Sequence, residues 1–178
     1  KTLTASSSAN LSFVHGSSSV VLDGTYSEYI FKYINIHPAS VAQLVFNLST
    51  DSGSNYNVTK TTTAHNSYMN ESGSGPGMVY RTAWDLAQST SDQIIAQELG
   101  NGNDESAYGT LHLFEPSSTT FVKHFMGVTN YYQQFGGGGP FQVYYAGYYN
   151  TTAAIDGVRF KMSSGNIDSG TIKMYGVK

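Results

Sequence analysis

Apolar residues recur along this chain at intervals of two, in short stretches broken by Gly, Pro, Asn and Ser. That pattern belongs to strands with one face in a core and the other outside it. The first such stretches are residues 10–14 and 20–22. Over residues 28–37, Tyr29, Phe31, Tyr33 and Asn35 fall on one face and Ile30, Lys32, Ile34 and Ile36 on the other. Pro38 stops the run, because it has no N–H to give a ladder. Residues 41–48 then place Leu44, Phe46 and Leu48 on one face, and Asp51, Ser52, Gly53, Ser54 and Asn55 make a turn before residues 56–63. These three stretches predict a meander of antiparallel strands.

Residues 64–76 are polar and run into Ser72, Gly73, Ser74, Gly75, Pro76 and Gly77, which predicts an exposed loop. Residues 84–99 form the single helix candidate, but Leu86, Ile94, Ile95 and Leu99 fit a 3.6-residue period poorly. A short helix, or a strand over 93–99, both stay open. After a turn at 100–105, a strand over 109–114 ends near Pro116 and pairs across Ser117, Ser118 and Thr119 with 120–128. Residues 131–140, with four successive glycines from Gly136, read as a second loop. Strands over 141–149, 154–163 and 171–177 close the chain. No fixed-period repeat is present. The expectation is one all-β domain over 1–178, an antiparallel β-sandwich of jelly-roll type with at most one short helix.

Composition narrows the partners. The 178 residues suffice to bury one core. Charged residues make up only 12%, while 14 Tyr and 19 Gly sit among many Ser, Thr and Asn, giving a neutral aromatic surface suited to sugars or to another protein. A net charge of −3 with scattered basic residues argues against nucleic acid. No apolar run approaches the ~20 residues of a membrane span, so no membrane insertion is expected. The chain begins at Lys1, from which an N-terminal attachment segment is expected to precede it. No cofactor is called for, and there is no Cys to weigh.

The densest aromatic grouping is Tyr131, Tyr132, Phe135, Tyr144, Tyr145, Tyr148 and Tyr149, beside the glycine run. Aromatic faces stack on sugar rings and Gly admits a close ligand. Tyr131, Tyr132, Phe135, Tyr145 and Tyr148 are therefore the candidate ligand contacts. Core packing or a subunit interface is the competing and stronger use of such residues. His112 and His124 come near each other if the hairpin at Pro116 forms, a weak metal candidate lacking any His-x-His spacing. The turns at 51–55 and 101–105 carry oxygen ligands but match no calcium loop. No Gly-x-Ser-x-Gly motif and no recognisable carboxylate pair appears, so the chain is read as a non-enzyme.

The ending Ile155, Asp156, Gly157, Val158, Arg159, Phe160 and then Ser163, Ser164, Gly165, Asn166, Ile167, Asp168, Ser169, Gly170, Thr171, Ile172, Lys173, Met174, Tyr175, Gly176, Val177, Lys178 resembles the close of virion structural proteins from marine tailed bacteriophages. The turn at 51–56 and the strand at 29–38 look similar to such proteins too. The resemblance implies a β-sandwich on the virion surface, usually a homotrimer among other virion proteins, in a tail fibre, head fibre or capsid decoration. It carries over no catalytic residue. Gly165 and Gly170 are expected in tight turns, with Ile167, Ile172 and Met174 on a core face. The leading expectation is a trimeric surface protein whose loops at 64–76 and 131–140 contact a host-surface glycan or protein. A capsid cement role and, remotely, a glycan depolymerase stand beside it.

Overall fold

The computed structural model describes residues 1–134 and 136–178. Its strands are β1 (Thr2–Ser8), β2 (Leu11–Val14), β3 (Glu28–Pro38), β4 (Ala42–Ser49), β5 (Lys60–Tyr68), β6 (Gly77–Tyr80), β7 (Gln93–Leu99), β8 (Ala107–Phe114), β9 (Lys123–Gln133), β10 (Gly139–Tyr149), β11 (Gly157–Met162) and β12 (Ile167–Val177). The helix candidate at 84–99 resolves into β7 and a 3-10 turn at Thr82–Trp84. Every strand pairing is antiparallel.

The pairings are nested. β1 pairs β12, β2 pairs β11, β3 pairs β8 and β4 pairs β7. A long hairpin rolled on itself gives that order, the connectivity of a jelly roll, with β1-β12-β3-β8 in one sheet and β2-β11-β4-β7 facing it. Two insertions extend the first sheet: β9 and β10 after β8, and β5 and β6 beyond β10. The large sheet is thus eight strands wide, β1-β12-β3-β8-β9-β10-β5-β6, against a small one of four. The sheets meet at one end, where Leu99 of β7 pairs Gln133 of β9.

The predicted meander does not form. β3, β4 and β5 never pair with one another, because the chain crosses between sheets at each connection. The alternation also changes phase at Asn35, whose φ is +53° and where the β3–β8 register slips between Tyr33 and Ile36. That bulge turns Asn35 outward and Ile36 into the core. The polar stretch from 64 is no loop at first: Ala64 to Tyr68 continue β5, and only residues 69–76 connect to β6. Likewise 131–133 complete β9, and β10 begins at Gly139.

Between the sheets, Phe46 of β4 contacts Phe125, Tyr145, Tyr149 and Phe160, and Phe31 packs on Phe13 and Phe160. Ile167, Ile172 and Met174 join this core. Gly165 makes a turn with φ +68°. Gly170 instead lies inside β12 with φ +117°, where a Cβ would sit 2.4 Å from the Asn35 carbonyl. It lets β12 pass the β3 bulge and is no turn residue.

Candidate functional site

The two loops nominated from sequence pack together. The Glu71 N–H donates to the Gly138 carbonyl at 3.2 Å and the Met69 N–H to the Pro140 carbonyl at 3.4 Å. The Asn70 side chain lies in contact range of Gly75 and Gly137, both at positive φ. Where they meet, at the β5–β6–β10 end of the large sheet, a cleft of about 340 Å³ opens. Tyr68 and Phe141 form its aromatic wall, stacked at 5.1 Å and 18°. Arg81 lies over the Phe141 ring at 5.8 Å and over Trp84 at 5.0 Å, its Nε donating to the Asn66 carboxamide oxygen. Glu98 completes the charge balance, one oxygen accepting from Gln133 Nε2 at 2.7 Å.

A second cleft, about 440 Å³, lies between β3, β12 and the turn before β8. Four of its side chains bond one another or the neighbouring turn. Glu105 accepts from the Gly102 N–H at 2.6 Å, His37 bonds the Gly102 carbonyl at 3.0 Å, and the Tyr108 hydroxyl donates to Asn35. These bonds hold the 100–106 turn in place. The 51–55 turn is similar: Asp51 accepts from Ser49 and Asn55, and the Asn55 bonds, chief among the causes, hold its carboxyl below the usual range.

Among the described residues, no layer covers the outer face of the large sheet. One row across it reads Tyr175, Ile30, His112, Met126, Ala146, Thr63. The next reads Lys173, Lys32, Thr110, Val128, Tyr144, His65, Tyr80. Met126, Tyr144, Met78 and Tyr80 are exposed there, and a shallow apolar groove of about 140 Å³ runs between His65, Met126 and Tyr144. Charges on this face are Lys32, Lys173 and Glu28, which bonds His112, toward one side, and Asp85, which accepts from the Tyr80 hydroxyl, on the other.

The five aromatic candidates separate. Tyr131 and Tyr145 are core residues, 2% and 3% exposed, and cannot meet a ligand. The Tyr131 hydroxyl accepts from the Gln97 N–H, and Tyr145 bonds the Tyr33 hydroxyl at 2.9 Å and the Thr110 carbonyl at 3.1 Å. Burial pushes both phenols up. Parity explains this, since inward positions of β9 and β10 alternate with outward ones. Tyr132 is half-buried on the outer side, its hydroxyl beside Gly138. Tyr148 is half-buried and its ring lies 6.0 Å from that of His124. Phe135 lies outside the described residues.

The β8–β9 hairpin does form, and it puts His112 and His124 on one face of adjacent strands. They take different partners: His112 Nδ1 bonds Glu28 at 2.5 Å, and His124 packs on Tyr148. Among the described residues, no group of three His, Cys, Asp or Glu assembles that could hold a metal.

Two functional groups escaped the sequence. Lys60 and Lys123 flank Tyr149 in register and are fully buried, facing inward. Lys60 donates to the Val58 carbonyl at 3.3 Å and sits 5.1 Å over the Tyr149 ring. Lys123 donates to the carbonyls of Phe121 at 2.8 Å and Thr151 at 3.3 Å. Burial lowers the Lys60 ammonium to about 8 and lowers Lys123 as well. The only prior signal was strand parity within the stretches 56–63 and 120–128, both read as strands. Comparison of this chain with family models, with characterised proteins and with solved structures gave no match.

Proposed function

We propose that this chain is a non-catalytic structural module of a phage particle, displayed at the virion surface as a homotrimer that closes through the outer face of the eight-stranded sheet. The single observation behind the reading is that face, which exposes Met126 and Tyr144 at its centre and carries Lys32, Lys173 and the Glu28–His112 pair toward one side and Asp85 toward the other. Stable interfaces have that anatomy, with Tyr and Met enriched and charge excluded from the middle.

Size supports it. Eight strands at about 4.8 Å spacing span roughly 34 Å, and seven residues of strand about 23 Å, so the face measures on the order of 800 Å². A standard interface takes about that much from each partner, and a three-fold ring divides this face between two neighbours. A three-fold arrangement sets the Lys32 and Lys173 flank of one copy against the Asp85 flank of the next, which pairs opposite charges around a closed ring. The sequence ending resembling phage structural proteins supplies the particle. Antibody raised against the chain is expected to label intact particles of a phage carrying its gene, on a fibre or other appendage. Label on the capsid lattice makes it a decoration protein, and particles without label overturn the reading.

A further inference from the structure

We propose that the cleft between the two glycine-bearing loops binds an uncharged saccharide, seated against Tyr68 and Phe141 and held through its hydroxyls by Asn70, Arg81, Glu98 and Gln133. This inference stands on the cleft alone and does not depend on the assembly described above.

Three features of the cleft specify the ligand's chemistry. The first is the half-buried Tyr68 ring, backed by the buried Phe141 ring stacked on it, which gives the recess an apolar wall beside its polar groups. A pyranose ring presents just such a surface in its C–H face, while its rim is all hydroxyl, and an aromatic side chain accepts the former without demanding a charge. The second is the state of the polar groups. Arg81 spends Nε on Asn66 and its plane on Trp84, so the guanidinium is fixed, while its two terminal nitrogens make no hydrogen bond among the described residues. Glu98 has one oxygen engaged by Gln133, and among the described residues neither its other oxygen nor the Asn70 carboxamide makes a hydrogen bond. Fixed donors and acceptors with spare capacity recognise vicinal hydroxyls, each of which donates once and accepts once.

The third feature is charge. One guanidinium and one carboxylate cancel across the recess, so neither an anionic nor a cationic ligand is favoured. The larger cleft by β3 and β12 differs in chemistry, because Asp104, Glu105 and Asp168 line it together and no stacked aromatic pair does among the described residues. At about 340 Å³ the loop cleft lies at the lower end of ligand-site volumes and suits a small saccharide.

Saturation-transfer NMR on the full chain, with a panel of neutral hexose and N-acetylhexosamine oligosaccharides and matched uronic-acid oligosaccharides, tests this. Transfer to at least one neutral oligosaccharide is expected, strongest on ring C–H protons. Asn70→Ala and Glu98→Gln are each expected to weaken that ligand at least tenfold, while far-UV circular dichroism stays that of the parent chain. Tyr68→Ala is expected to remove the ring-proton transfer. No transfer from any neutral member, transfer from the uronic-acid series alone, or equal affinity in folded Asn70→Ala and Glu98→Gln overturns the proposal. Such failure leaves the trimer untouched, since none of these residues lies on the outer-face rows.

Discussion

Gly127 sits where two tyrosines cross. A Cβ there would lie 2.3 Å from the Tyr145 hydroxyl and 2.5 Å from the Thr110 carbonyl, and at Gly109 one would lie 2.4 Å from the Tyr33 ring. Both glycines thus make room for the Tyr33 and Tyr145 hydroxyls, which meet at 2.9 Å with Thr129 inside the core. Gly127→Ala is expected to cost about 1–3 kcal/mol by overpacking, read by urea unfolding. Gly24→Ala, with only the Ser117 hydroxyl at 3.6 Å, is expected to be near neutral and serves as the control. At this scale the sequence was legible in kind but not in direction. It marked the tyrosines as a cluster, yet which of them face inward depends on strand register, and Tyr145 went to the core.

The buried lysines give a pH signature. Lys60 falls from 10.5 to about 8 on folding through burial, so between those values the unfolded chain binds more protons and stability rises with pH. Tyr33, Tyr145 and Tyr149 are raised by burial above 10.0, so they stay neutral in the folded chain and begin to oppose stability near pH 10, where the same side chains ionise in the unfolded chain. Lys60→Met is expected to stabilise the protein at neutral pH and to reduce the rise between about pH 8 and 10, measured by thermal unfolding. Lys123, shifted the same way, accounts for the remainder.

Among the elements, the small sheet is clamped on its outer side by charge. Asp92 accepts from Asn47 at 3.0 Å and pairs with Lys161 at 3.1 Å and Arg159 at 3.4 Å, while Arg159 lies 4.4 Å over the Tyr56 ring. This ties the segment before β7 and the turn region after β4 across β4 and β11. Burial alone would raise the Asp92 carboxyl, but Asn47, Lys161 and Arg159 outweigh it and hold it below 3.8. Its contribution is therefore present above 3.8 and lost as pH falls through the lower folded value. Asp92→Asn is expected to lower stability at neutral pH and to leave a weaker acid dependence, checked by the denaturation midpoint across acidic pH.

Strands with clean alternation, such as β3 and β10, were legible from their apolar period. β5 was legible only in part: its inward residues are Lys60, Thr62, Ala64 and Asn66, so 60–63 fell in a predicted strand while 64–68 read as polar loop. Its backbone is held instead by β10 and β6 and by the segment that follows β6. The Thr62 N–H donates to the Leu86 carbonyl and the Ala64 N–H to the Asp85 carboxylate. β1, made largely of Ser and Thr, was missed for the same reason and is ordered by its ladder to β12. The candidate cleft was half legible. Both loops were nominated, but Arg81 and Glu98 come to it from distant positions that only pairing across β5, β9 and β10 brings together.

At the scale of the molecule, nested pairing fixes a two-sheet core while the inserted strands widen one sheet past what the other can cover. The outer face of the large sheet exposes Met126, Tyr144, Met78 and Tyr80, with Asp85 at the Tyr80 hydroxyl on one side and Lys32 and the Glu28–His112 pair toward the other. Patches of this kind mark contact surfaces. Trimer formation through that face is the central claim, and solution mass measures it most directly. Light scattering of the purified chain at tens of micromolar is expected to give three copies of the 19.2 kDa chain, and Met126→Glu with Tyr144→Glu to give one copy with unchanged circular dichroism. A parent chain running as a monomer, or a trimer that survives both substitutions, would contradict the claim.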